Sequence, residues 1–187
     1  MKKILSLVLT LCIMLTVCSA GFMTITVSAV EKIEGSEVTW SFDYTSKTLT
    51  FSGKGNIPDY DTYEDENGKS TIPWAGCAYN TVEFGKEITG IGNYALRKSS
   101  DLVAVTIPET IKKIGNGAFS NSLVLKSVTV KNGVTEISDG AFMGCTALST
   151  VELPTGITRI GKNAFYKCTA LKAITIPDSV KTIDISA

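Results

Sequence analysis

Apolar and polar positions in this chain alternate between two rhythms. In the stretch Lys126–Leu148, Val128 and Val130 alternate with Ser127 and Thr129. That period of two predicts a strand with one buried face. Lys131-Asn132-Gly133 then reads as a turn; elsewhere the same turn opens with Pro108, Pro154 or Pro177, which end the strand. Val134 and Ile137 form a second apolar pair. Asp139-Gly140-Ala141-Phe142 follows, aligned with Asn116-Gly117-Ala118-Phe119. The Asp or Asn suits the cap of a short helical turn, its oxygen accepting backbone N–H groups that a helix start leaves unpaired. Leu148 closes the unit.

This unit recurs every 23 residues, as Ile91, Ile114, Ile137, Ile160 and Ile183 show, with Leu102, Leu125, Leu148 and Leu171 in step. Ala95, Ala118, Ala141 and Ala164 keep the interval, as do Phe119, Phe142 and Phe165. A fixed period of this length is the mark of a solenoid. Each unit offers about seven apolar positions, worth about 2–3 kcal/mol each when fully buried. One coil alone cannot cover them, so neighbours must stack. Four coils are complete or nearly so, 80–102, 103–125, 126–148 and 149–171, and a fifth, 172–187, is partial. Asp184-Ile185-Ser186-Ala187 reads as a break in the pattern.

The run Leu153-Pro154-Thr155-Gly156-Ile157, Ile160-Gly161, Ala164-Phe165, Cys168 and Leu171 resembles the BspA-type leucine-rich repeat. The resemblance covers residues 80–183, with Leu96 in place of Phe and Ser122 in place of Cys as departures. It implies a β-rich (α+β) solenoid of leucine-rich repeats with short helical turns. It also implies a secreted or surface protein of bacterial type, concerned with adhesion to host proteins or neighbouring cells.

Residues 30–79 do not repeat and read as an N-terminal capping region before the solenoid at 80–187. Val38–Phe42 and Thr48–Ser52 alternate around the turn Asp43–Lys47, which predicts a β-hairpin with Trp40, Phe42, Leu49 and Phe51 on one face. Such a face would cover the open edge of the first coil. Segments at Ser52–Gly55 and Ile72-Pro73-Trp74 also resemble the leader that precedes these repeats. The acidic run Asp59–Gly68 reads as a solvated loop; a calcium loop fails on spacing, because Tyr63 stands where an oxygen ligand belongs.

Residues 1–29 have the form of a secretory signal peptide: Lys2 and Lys3, an apolar stretch from Ile4 to Val17, and small residues at Val27-Ser28-Ala29. The stretch is short for a membrane span, and Val17 before Cys18 makes a poor lipoprotein site. Cleavage removes 29 of 187 residues and leaves 158. It also removes two of eighteen basic residues and no acidic ones, leaving a net charge near −2. Without a basic patch, nucleic acid is not an expected partner.

The chain has no histidine, which removes Ser-His and Cys-His nucleophiles and the usual imidazole metal sites. No cofactor or metal is expected. Cys145 and Cys168 share a repeat position with Ser99 and Ser122, so the position takes a small side chain. Two readings stay open there: a ladder of buried thiols, favoured because curvature after the short helical turn can splay neighbouring coils, and a Cys145–Cys168 disulfide suited to an oxidising compartment.

The outward strand positions form two rows. Thr81, Ala104, Ser127, Thr150 and Ala173 make one, and Glu83, Thr106, Thr129, Glu152 and Thr175 the other. These rows are the candidate binding surface for a protein or glycan at a cell or host surface. A second reading is an assembly module that self-associates or docks through the edge of its unfinished fifth coil. A third is a carbohydrate-binding module, with Trp40 and Trp74 as the available aromatics. Glycosidase chemistry is the weakest: Glu83 and Glu152 stand three coils apart, about 14 Å at strand spacing. The expected protein is non-enzymatic, with no membrane span once the prefix is removed.

Overall fold

The computed structural model of the protein describes residues 13–17, 23–60 and 70–187. Most of the expected signal peptide, and residues 61–69 of the acidic run, lie outside them. Strands β1 (Ile13–Val17), β2 (Met23–Lys32), β3 (Val38–Asp43) and β4 (Thr48–Gly53) pair antiparallel in that order. β3 and β4 form the expected hairpin. Trp40 lies across from Phe51 and Phe42 from Leu49, and all four are buried. At its turn Asp43 Oδ1 accepts the N–H of Thr45 at 2.7 Å and of Ser46 at 3.2 Å, which holds the carboxyl below its ordinary pKa.

The pairing sense then changes. β4 runs parallel to β6 (Thr81–Phe84), and β5 (Gly55–Asn56) runs parallel to β7 (Ile88–Ile91). Ile57 and Tyr60 donate their N–H groups to the carbonyls of Gly90 and Asn93 at 2.9 Å each. Residues 48–60 therefore stack on the first repeat as a coil, though nothing in their sequence repeats. The later strands are β8 (Ala104–Ile107), β9 (Lys113–Ile114), β10 (Ser127–Val130), β11 (Glu136–Ile137), β12 (Thr150–Glu152), β13 (Arg159–Ile160) and β14 (Thr182–Ile183). β8, β10 and β12 form one parallel ladder, β7 and β9 continue that of β5, and β11, β13 and β14 form another. Equivalent residues pair throughout: Ala104 with Ser127 with Thr150, and Ile137 with Ile160 with Ile183.

The expected short helical turns are not helices; among the described residues there is no helix. Tyr94, Gly117, Gly140, Asn163 and Ser186 each have φ between 55° and 61°. Lys98, Asn121, Gly144 and Lys167, four residues later in each coil, have φ between 54° and 76°. A left-handed residue every fourth position breaks a right-handed helix. It also turns alternate N–H groups sideways. Gly117, Phe119 and Asn121 donate to the carbonyls of Asp139, Ala141 and Met143 in the next coil at 2.7–2.9 Å. The neighbouring coils repeat this bonding. It extends to Asn163 N donating to Ile185 O at 3.2 Å, so Asp184–Ala187 continue the pattern rather than break it.

Nor does the Asp or Asn at the turn cap a helix. Its side-chain oxygen accepts the N–H at the equivalent position of the next coil. Asn93 donates to Asp59 Oδ1 at 2.7 Å, Asn116 to Asn93 Oδ1 at 2.8 Å, and Lys162 to Asp139 Oδ1 at 3.0 Å. Gly92, Gly115 and Gly161 are more than turn formers, because a Cβ there would collide with the preceding coil. Arg159 ties three coils together, reaching Asp139 at 2.7 Å, Glu136 at 3.7 Å, and Asp184.

The core lies between the coils. Phe119, Phe142 and Phe165 stack with centroids 5.4 and 5.6 Å apart and planes within 11°. Beside them Cys145 and Cys168 are free thiols that donate to the carbonyls of Phe119 and Phe142 at 3.2 and 3.1 Å. Ser122 reaches Leu96 O in the same way at 3.4 Å. The small-residue position is thus a hydrogen-bonded ladder between coils. Burial pushes the Cys145 thiol up to about 12 and the Cys168 thiol to about 11.

Phe142→Ala removes the middle ring of the stack and is expected to cost about 3–5 kcal/mol. It would appear as a lower urea midpoint at unchanged slope; a loss within about 0.5 kcal/mol would show the stack to be dispensable. The thiols bind their protons more tightly folded than unfolded. Their contribution is complete below the ordinary thiol value of 9.0 and is lost as pH rises through about 11 and 12. Stability is therefore expected to fall across that alkaline window in the native chain and less in Cys145→Ser, measured by urea unfolding at a series of pH values.

Candidate functional site

The outward face of the strands is built by alternation. Val105, Ile107, Val128 and Val130 point into the core and are buried, so Ala104, Thr106, Ser127 and Thr129 point away from it. β10 sits between β8 and β12, which leaves Ser127 and Thr129 half-buried, whereas Ala104, Thr106, Thr150 and Glu152 are exposed. Thr129 Oγ1 donates to Glu152 Oε2 at 3.1 Å and steadies that carboxylate. Six of the ten candidate residues thus share one three-stranded sheet in two straight rows.

Thr81 and Glu83 are exposed too, but on β6, which belongs to the sheet of the hairpin. Ala173 and Thr175 are exposed yet lie in no strand. Inward-facing Ile176 there keeps 39% of its surface exposed. The apolar burial that holds the other strands flat is incomplete, and the rows stop at β12.

The hairpin adds residues that sequence reasoning missed. Thr48 pairs with Thr81 and Thr50 with Glu83, while Asp43 and Ser41 pair with Thr48 and Thr50 from the other side. Alternation within Thr48–Ser52 was a legible signal for their outward direction. Their alignment with the repeat rows was not, because it depends on β4 pairing parallel with β6.

This surface offers hydroxyls and a few carboxylates. It can donate and accept hydrogen bonds. Among the described residues no group of three or more His, Cys, Asp and Glu is placed to hold a metal ion. No helix among them is long and apolar enough to cross a membrane. Trp40 and Trp74 form no exposed platform. Trp74 is 1% exposed, donates its indole N–H to Ala95 O at 2.8 Å, and packs edge-on against Trp40, Phe51 and Tyr60.

Because the face contributes little burial, Thr106→Lys and Thr150→Lys are each expected to leave stability within about 0.5 kcal/mol of the parent. Thermal unfolding checks this, and a larger loss would mean the rows hold the sheet together rather than present a surface.

Comparison with known proteins places the repeats. The family model described as "BspA type Leucine rich repeat region" matches residues 73–187 in six copies. Among solved structures, the chain is similar to a leucine-rich repeat protein from Eubacterium ventriosum at 20% identity and a TM-score of 0.47, covering 77% of this chain and 46% of that one. It is similar to a leucine rich cell surface protein from Faecalibacterium prausnitzii at 25% identity and 0.44, covering 82% and 50%. A leucine-rich repeat protein from Bacteroides ovatus aligns at 19% identity and 0.48, covering 74% and 42%. The chain spans about half the length of these three proteins. No curated protein matches it.

Proposed function

The chain belongs to the BspA-type leucine-rich repeat family, and from that premise we propose that it is a secreted, non-enzymatic binding protein. Its outward strand face takes a protein or glycan at a cell or host surface. The signal-peptide form of residues 1–29 supports export, and we assign residues 30–79 as the cap that closes the first coil.

One observation carries the reading: the outward residues of successive coils lie in register, Ala104 with Ser127 with Thr150 and Thr106 with Thr129 with Glu152. A flat array of this kind meets a large partner over its whole width. It lacks the Trp, Tyr and Arg anchors that usually concentrate binding energy. Affinity is therefore spread over many small contacts, and repeated copies at a surface would strengthen it by avidity.

The test is capture of the chain on an array of extracellular-matrix proteins and glycans, beside a Thr129→Arg/Glu152→Arg variant. The variant places two bulky cations mid-face. It is expected to bind at least about tenfold more weakly to whichever ligand holds the parent, the scale on which disrupting a central interface residue acts. Undiminished capture by the variant would place the site elsewhere.

A further inference from the structure

The turn after β10 differs from its equivalents in other coils. Those open with Pro108, Pro154 or Pro177 and close with an N–H bonded back to the proline carbonyl: Ile111 to Pro108 at 3.0 Å, Ile157 to Pro154 at 3.3 Å and Val180 to Pro177 at 3.0 Å. After β10 the turn reads Lys131-Asn132-Gly133-Val134, and among the described residues Val134 makes no such bond. Asn132 is exposed and Gly133 half-buried, with Gly133 at a φ of 133°. An asparagine followed by glycine is a reactive pair. The glycine nitrogen can attack the side-chain amide carbon of the asparagine, and glycine carries no side chain to crowd the approach.

Asn116-Gly117 is a second pair of this kind, and a third, Asn67-Gly68, lies outside the described residues. The carbonyl of Asn116 accepts the N–H of Tyr94 at 2.9 Å, and the N–H of Gly117 donates to Asp139 O at 2.9 Å. The N–H of Asn116 itself donates to Asn93 Oδ1 at 2.8 Å, and Gly117 is buried. Neighbouring coils thus hold that peptide plane from both sides, and its nitrogen cannot turn toward the Asn116 side chain without breaking two hydrogen bonds. The plane between Asn132 and Gly133 is not held: among the described residues neither its carbonyl nor its N–H meets a hydrogen-bond partner of ordinary geometry. A charge also stands beside it. The Lys112 ammonium donates to Glu109 O at 2.7 Å and lies 3.0 Å from the place that a Cβ on Gly133 would occupy. A cation there favours the deprotonated nitrogen, which is the form that attacks.

We propose that Asn132-Gly133 is a modification site, where the asparagine deamidates spontaneously, and that coil stacking protects Asn116-Gly117 from the same reaction. The Gly133 nitrogen gives its proton to water or hydroxide and forms a bond to Cγ of Asn132. The Cγ–Nδ2 bond breaks, and the departing amide nitrogen takes a proton from water and leaves as ammonia. The product is a cyclic imide. Water then opens one of its two C–N bonds. One opening gives aspartate; the other gives isoaspartate, in which the main chain runs through the former side chain. Either product adds a negative charge at the end of the central strand β10. The isoaspartyl form also adds a backbone carbon between Lys131, whose N–H is held by Ile107 O at 2.9 Å, and the buried Val134. One coil is thereby lengthened in a stack whose bonds depend on equal coils.

The experiment is peptide mapping by mass spectrometry of the full chain aged in mildly alkaline buffer, once folded and once in urea. In the folded chain Asn132 is expected to convert to a mixture of aspartate and isoaspartate at least about tenfold faster than Asn116, the scale set by the two hydrogen bonds that must open first at Asn116. In urea the two sites are expected to convert at similar rates, since the stack that separates them is gone. Asn132→Thr places there the residue type that Thr155 supplies one coil later, and should fold as the parent does. It is expected to lose the main acidic species that the aged parent yields on anion exchange. Equal rates at Asn132 and Asn116 in the folded chain would overturn the proposal. So would an Asn132 that stays intact when folded but converts in urea, or persistence of that acidic species in Asn132→Thr.

Discussion

Everything in this structure depends on one constraint: no coil can satisfy its own backbone. In the turn that carries Phe119, alternate N–H groups point sideways and bond the carbonyls of the coil above. The same is true one coil earlier and one coil later. An α-helix would close those bonds within the segment; here they are closed between segments. The repeat interval follows from this requirement, since an inserted or deleted residue would leave a line of buried donors without acceptors. The left-handed residues at Gly117, Gly140 and Asn163 make the geometry possible. Glycine and asparagine adopt it at low cost, whereas Tyr94 and Lys98 adopt it because the stacked neighbours demand it.

Polar side chains reinforce the same interval. The ladder from Asp59 through Asn93 to Asn116 ties each coil's turn to the next, and the Ser and Cys ladder does so on the other side of the phenylalanine stack. Arg159 adds a charged tie across three coils. Its side chain is about one-third exposed, so solvent screens it and its weight is modest. The stacked rings and the apolar rows dominate the energetics. The polar ladders fix which residue meets which.

The hairpin shows how such a stack begins. β4 uses one edge for antiparallel pairing with β3 and the other for parallel pairing with β6. It therefore converts an ordinary meander into the first step of a solenoid. The conversion has two consequences. The outward side chains of Thr48 and Thr50 are brought into line with those of Thr81 and Glu83, which widens the polar strand face. The inward aromatics gather around Trp74.

The period, the inward and outward strand positions and the hairpin were legible in the amino-acid sequence. Each rests on spacing: Ile to Ile, Leu to Leu, or the alternation of Val128 and Val130 with Ser127 and Thr129. Hydrophobic burial acts residue by residue, so its pattern is written along the chain. What only the tertiary structure decided involves bonds between coils. Asp139 looked like a helix cap because its local sequence permits one; its oxygen instead serves Lys162. Gly117 and Gly140 stood in what read as a short helical turn, and their left-handed backbones prevent the helix altogether. Ala173 and Thr175 carry the strand pattern but form no strand, because alternation needs a paired and covered neighbour to become a sheet. Tyr60 and Trp40 are 20 residues apart in sequence and both pack on Trp74 because residues 48–60 stack as a coil. Local spacing determines which face of each segment is buried; the partner that completes its hydrogen bonds is chosen by the packed whole.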